Sequence, residues 1–125
     1  MKYPIADLSD RYTIEVLKNE RANATNEQQL KVLFEEIELS KDYLQTIQEV
    51  KDFDACLKNL YQLNGSIWDL ESDIRKGKEG SLGLEEVGRR ALAIRDLNGM
   101  RILQKNKIAS LFGEMYEKKY NHASA

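Results

Sequence analysis

Pro4 is the only proline in the chain, so from residue 5 to residue 125 no side chain forbids helix by removing a backbone donor. Apolar residues recur three and four apart almost without interruption, and no stretch keeps the two-residue alternation of a strand. The expected fold is all-α: an antiparallel four-helix bundle with a long C-terminal helix. Residues 1–120 form a single helical domain in this reading, and residues 121–125 a disordered tail. A length of 125 residues suits one domain, and 42% hydrophobic residues suffice for a modest core.

The first helix is expected from Asp7 to Arg21, with Asp7 or Ser9 as its cap. Ile5, Leu8, Tyr12 and Val16 form one apolar line; Ile14 and Leu17 lie on another side. A helix apolar on two sides packs between neighbours. Thr25, with Gln28 three residues on, reads as a capping box opening a second helix. That helix carries Leu30, Leu33, Phe34, Ile37, Leu44 and Ile47, with Lys41 inside the stripe, its stem on apolar surface and its ammonium in water. The apolar phase slips between Val50 and Phe53, which predicts a break there; one bent helix is the alternative. A third helix follows with Phe53, Cys56, Leu60, Leu63, Ile67, Leu70 and Ile74, ending at the glycine-rich loop of residues 77–83. The last helix is expected from Leu84 to about Lys118, ~35 residues or ~50 Å. Gly99 and Gly113 would mark bends or close crossings within it. The short loop folds these two helices antiparallel about residue 80, which sets Glu71 beside Arg89 or Arg90, Asn64 beside Arg95 or Asn98, and Asp54 beside Lys105.

The formal net charge of −2 hides an asymmetry: residues 26–74 hold 4 Lys/Arg against 11 Asp/Glu, residues 75–119 hold 11 against 6. A basic helix of this kind either meets a polyanion or packs beside acidic helices. The absence of a basic surplus overall favours the second and argues against nucleic acid. No segment approaches the ~20 apolar residues of a membrane span, and no apolar run follows Met1-Lys2 as in a signal peptide. One cysteine, Cys56, forms no intramolecular disulfide and sits in an apolar stripe, so it is expected to pack rather than react. A cytoplasmic protein without cofactors is the expectation.

The chemistry-bearing residues lie where apolar ones belong. On a helical wheel, Val87, Ala91, Ile94, Ile108, Phe112 and Tyr116 share one face of the last helix with Arg101 and Lys105, and Asn98 is at its centre. Arg and Lys enclosed without partners are costly, so this section either meets carboxylates or lines a cavity. Glu20 is the first candidate partner and Glu38 the second. On the third helix Asn64, Trp68, Glu71 and Arg75 follow the border of the buried stripe. Three readings stay open: an anion pocket in which Arg101 and Lys105 hold a phosphate or carboxylate, a buried salt-bridge network, and a subunit interface. Trp68, the only tryptophan, suits core or interface packing better than ligand stacking.

Several enzyme classes are excluded or disfavoured. The lone His122 lies in the tail, so one chain offers no histidine metal site and no Ser/His triad. The glycines of residues 77–83 spell neither a P-loop nor a dinucleotide fingerprint. All-helical nucleotide pyrophosphohydrolases hold Mg²⁺ with Glu-Glu-x-x-Glu and Glu-x-x-Asp. Here Leu39 stands where the third glutamate belongs and Ile74 follows Glu71 at three residues, so the spacing fails twice, although Asp69 and Asp73 remain one turn apart.

Residues 60–75, with Trp68-Asp69-Leu70-Glu71-Ser72-Asp73-Ile74-Arg75 as their core, and residues 94–108, with Asn98, Arg101 and Lys105, carry a resemblance. So does the opening stretch from Leu8 to Arg21. The chain resembles a domain-of-unknown-function family of bacterial and phage proteins with a Trp-Asp-x-Glu-x-Asp-Ile-Arg motif followed by Asn-x-x-Arg-x-x-x-Lys. Leu97 stands where the family has Asn. The resemblance implies a helical fold and no established activity; relatives beside glycosyltransferase genes would imply surface-polysaccharide work. The functional expectation is a non-catalytic helical binding or assembly module, homodimeric through its helical faces. The competing expectation is a small enzyme or sensor for an anionic metabolite, a nucleotide or sugar nucleotide, at Glu20, Asn64, Trp68, Glu71, Asn98, Arg101 and Lys105.

Overall fold

A computed structural model describes residues 4–22, 26–76 and 83–114. Four helices account for most of them: α1 (Ile5–Ala22), α2 (Glu27–Ser40), α3 (Ile47–Lys76) and α4 (Leu84–Leu111), with one 3-10 turn at Lys41–Tyr43. The fold is the all-α, antiparallel four-helix bundle expected. Among the described residues no helix is long and apolar enough to cross a membrane.

Helices α3 and α4 form the hairpin on which the rest is built. Its register pairs Asn59 with Gln104 and Asp73 with Arg90, residue numbers that sum to 163 rather than to the 160 of a fold about residue 80. The three-residue difference is nearly one helical turn. It places Arg90 beside Asp73 instead of Glu71, and Asp54 pairs with Lys41 rather than Lys105.

Helix α1 packs against both helices of this hairpin. Its first turn sits at the base of the bundle, where Glu114 accepts hydrogen bonds from the backbone N–H of Ile5 (2.7 Å) and Ala6 (3.3 Å). This carboxylate caps the positive end of the helix, the role the sequence suggested for Asp7 or Ser9. At its other end Arg21 donates to the Gly65 carbonyl (3.0 Å) and to Asp69 on α3. Helix α2 runs back antiparallel along α1, with Tyr12 and Phe34 in ring contact. The core gathers at the base: Ala6, Ile37, Phe53, Cys56, Leu60, Ile108 and Ala109, with Phe53 meeting Phe112 edge-on.

Helix ends differ from the sequence reading for identifiable reasons. Thr25 lies outside the described residues, and Asn26 caps α2 by accepting from Gln29 N–H. The break between the second and third helices falls at residues 41–46, not near Val50. Thr46 and Glu49 form a reciprocal capping box there: Thr46 Oγ1 accepts from Glu49 N–H (3.0 Å) and Glu49 Oε1 from Thr46 N–H (3.2 Å). Lys41 therefore sits at a corner, bonded at 3.0 Å to both Glu38 and Asp54, and it pins α2 to α3. Helix α4 stops at Leu111 because Gly113 takes φ +67, a left-handed stop closed by Glu114 N–H bonding back to Ala109 O (2.8 Å). At 28 residues it is long, and α3, at 30, is slightly longer. The glycine-rich stretch of residues 77–82 and the tail after Glu114 lie outside the described residues.

Candidate functional site

The polar middle of α4 faces α1, and both of its cations find a carboxylate. Arg101 grips Asp10 with two donors: Nε to Oδ1 at 2.8 Å and Nη2 to Oδ2. One turn on, Lys105 Nζ lies 3.0 Å from Asp7. The acids are thus Asp10 and Asp7, and not Glu20 or Glu38. Glu20 instead accepts a 2.5 Å hydrogen bond from the Tyr61 hydroxyl at the surface, which raises that phenol's pKa above its ordinary value.

Asn64 completes the arrangement from α3. Its Nδ2 donates to Asp10 Oδ1 (3.0 Å) and to Thr13 Oγ1 (2.9 Å), while the Thr13 hydroxyl donates to the Asp10 carbonyl (2.8 Å). Asn98 accepts from Arg101 Nη1 at 3.2 Å. Three helices therefore converge on one carboxylate. Burial alone would raise the Asp10 pKa; the hydrogen bonds from Arg101 and Asn64 and the charges of Arg101 and Lys105 outweigh it and hold the group below its ordinary value. Asp10 is buried and ionised, with three donors on its two oxygens. This is how an enclosed ion pair is made tolerable.

Of the seven residues singled out in the sequence, the structure brings Asn64 and Arg101 onto Asp10, sets Asn98 against Arg101 and places Lys105 one turn away. It leaves Glu20 at the surface with Tyr61, Glu71 exposed, and Trp68 half-buried on α3. Sequence reading missed Asp7, Asp10 and Thr13. A signal was present: Ala6, Asp10, Thr13 and Leu17 are spaced four, three and four apart, a stripe apolar at its ends and polar in its middle, matching the one on α4.

The acids weighed for metal binding are dispersed. Glu38 pairs with Lys41, Asp69 with Arg21 and Asp73 with Arg90. Among the described residues no group of three His, Cys, Asp or Glu is placed to hold a metal ion. Cys56 is buried in the core, which pushes its thiol pKa up and keeps it protonated. The base of the bundle also carries a half-open cavity of about 760 Å³ between Ile5, Leu39, Tyr43 and Phe112, with Glu36 and Asp42 on its wall. It lies apart from Asp10 and Arg101. The chain matches no protein-family model, no curated protein and no solved structure.

Proposed function

We propose that this chain is a non-catalytic helical assembly module acting as a homodimer in the cytoplasm, with the Asp10–Arg101 centre as an internal clasp that fixes how α1 packs on the hairpin. The carrying observation is the outer face of α4, turned away from α1. There Leu92 is 54% exposed, Met100 50% and Leu103 60%. Apolar side chains grouped on one long helix are what an interface leaves open when its partner is absent. The clasp supports the same reading, since Arg101 and Lys105 already hold carboxylates of their own chain. Light scattering at several hundred micromolar protein tests it: a dimer is expected, and a strict monomer overturns it.

One observation favours a second reading. The Arg101 side chain keeps 30% of its exposure and lies beside Asn98. A small anionic metabolite at Asn64, Asn98, Arg101 and Lys105 would compete with the carboxylates these cations already hold. A thermal-shift screen of nucleotides, sugar nucleotides and divalent metals separates the two. Stabilisation by one ligand that disappears in Arg101→Ala would replace the assembly reading with a ligand site.

A further inference from the structure

The outer face of α4 carries a row at steps of four, four, three, four and four residues: Leu92, Asp96, Met100, Leu103, Lys107 and Leu111. At ~100° per residue all six fall within roughly 100° of the helix circumference. Five are exposed and Leu111 is half-buried. The row is its own complement when reversed. About a point midway between Met100 and Leu103, Leu92 answers Leu111, Asp96 answers Lys107, and Met100 answers Leu103.

We infer that a second copy of this chain docks antiparallel along this face, its α4 against α4 about a two-fold axis between Met100 and Leu103. This deepens the assembly reading and rests on it. The two-fold makes only two kinds of contact along the row, apolar on apolar four times and carboxylate on ammonium twice. Other arrangements are penalised. A parallel pairing sets Asp96 on Asp96 and Lys107 on Lys107. Sliding the antiparallel pair by seven residues sets Asp96 on Met100, or Lys107 on Leu103. Space for the partner's side chains exists beside the row, where the α3–α4 seam opens into a groove of about 310 Å³ bordered by Leu63, Ser66, Met100 and Leu103. Among the described residues Asp96 pairs only with its neighbour Arg95 at 3.5 Å, a surface contact of little strength. The row spans 20 residues, ~30 Å of helix, which makes an interface at the small end of the specific range and a dimer that dissociates on dilution.

Sedimentation equilibrium on four proteins tests the arrangement, with helicity checked by circular dichroism. Asp96→Lys alone opposes lysine to lysine at both charge contacts, and Lys107→Asp alone opposes carboxylate to carboxylate. Each is expected to weaken self-association by roughly tenfold or more. The double variant restores the pairs with exchanged signs and is expected to return to within a few-fold of the unmodified chain. The two single variants mixed together are expected to form a heterodimer tighter than either homodimer, because every contact is then again between opposite charges. A dimer indifferent to both single changes, or single variants that fail to pair with each other, overturns this face while leaving the assembly reading standing. An unmodified chain that stays monomeric at several hundred micromolar overturns both.

Discussion

Asp10 and Arg101 show why an enclosed ion pair is better judged by its loss than by its presence. Together they gain little, because the cost of taking two charges out of water offsets their attraction. Apart, each charge loses its bidentate partner. Arg101→Met removes two of the three donors on the Asp10 carboxylate, and Asp10→Leu removes the carboxylate that Arg101 grips with two donors. Each is expected to cost about 2–4 kcal/mol in urea unfolding, the lower part of the range for breaking buried pairs because Arg101 is partly solvated. The double variant is expected to recover most of that loss, and a double variant whose losses simply add would mean the two groups do not act as a pair. Acid provides an independent check. The folded-state pKa of Asp10 lies below its unfolded value of about 3.9, so its contribution is fully present above that value and disappears as pH falls through the folded pKa. The stability gap between the unmodified chain and Asp10→Asn is therefore expected to be wide at pH 7 and to narrow below about pH 4; a gap independent of pH would locate the effect elsewhere. The need for such acids was legible from α4 alone, because Arg101 and Lys105 interrupt an apolar row. Which acids was not legible. Periodicity says which residues share a face, and only packing says which face meets which.

Helices as units were legible where the apolar rhythm is long, and their ends where a capping residue interrupts it. Thr46-Ile47-Gln48-Glu49 spells a capping box, yet Leu44 and Ile47 continue the phase of α2 and mask the break. Gly113 reads as an interior helical glycine until the backbone is seen to turn left-handed there. Gly88 within α4 and Gly113 just past its end are therefore of two kinds, and alanine substitution at each tells them apart. At Gly88, inside the helix and exposed, an added Cβ meets nothing within 4 Å. Gly88→Ala is expected to stabilise by about 0.5–1 kcal/mol through helix propensity and a less free unfolded chain. At Gly113 space is equally open, but φ +67 is strained for any side chain. Gly113→Ala is expected to destabilise by about 1 kcal/mol. Thermal melts showing shifts of a few degrees in opposite directions would confirm both; matching signs would contradict the assignment of Gly113 as the stop of α4.

Stability should be graded along the whole molecule, because its layers are unequal in length. Below the level of Asp10 and Asn64 the hairpin is covered by α1, which α2 in turn covers, and the fully buried side chains Phe53, Leu60 and Ile108 lie in this part. Helix α1 ends where Arg21 reaches Gly65 and Asp69. Beyond that point, residues 70–76 and 84–93 pack as two helices. Leu70, Ile74 and Val87 are half-buried there, and Ala91, on the inward face of the wheel, is exposed because nothing among the described residues lies over it. The ion pairs of this arm, Arg90 with Asp73 and Glu86, and Arg89 with Glu85 and Glu86, are partly or largely exposed and add little. Two helices sharing half-buried contacts open more readily than helices enclosed by a core. Amide exchange at low protein concentration is therefore expected to be slowest at residues 53–60 and 105–109, and faster by orders of magnitude at residues 70–76 and 84–90. Raising the concentration into the range where the dimer forms should add protection along residues 92–111 and leave the arm fast. Uniform protection from base to tip would mean that the arm, rather than the outer face of α4, is the part of the molecule held by a partner.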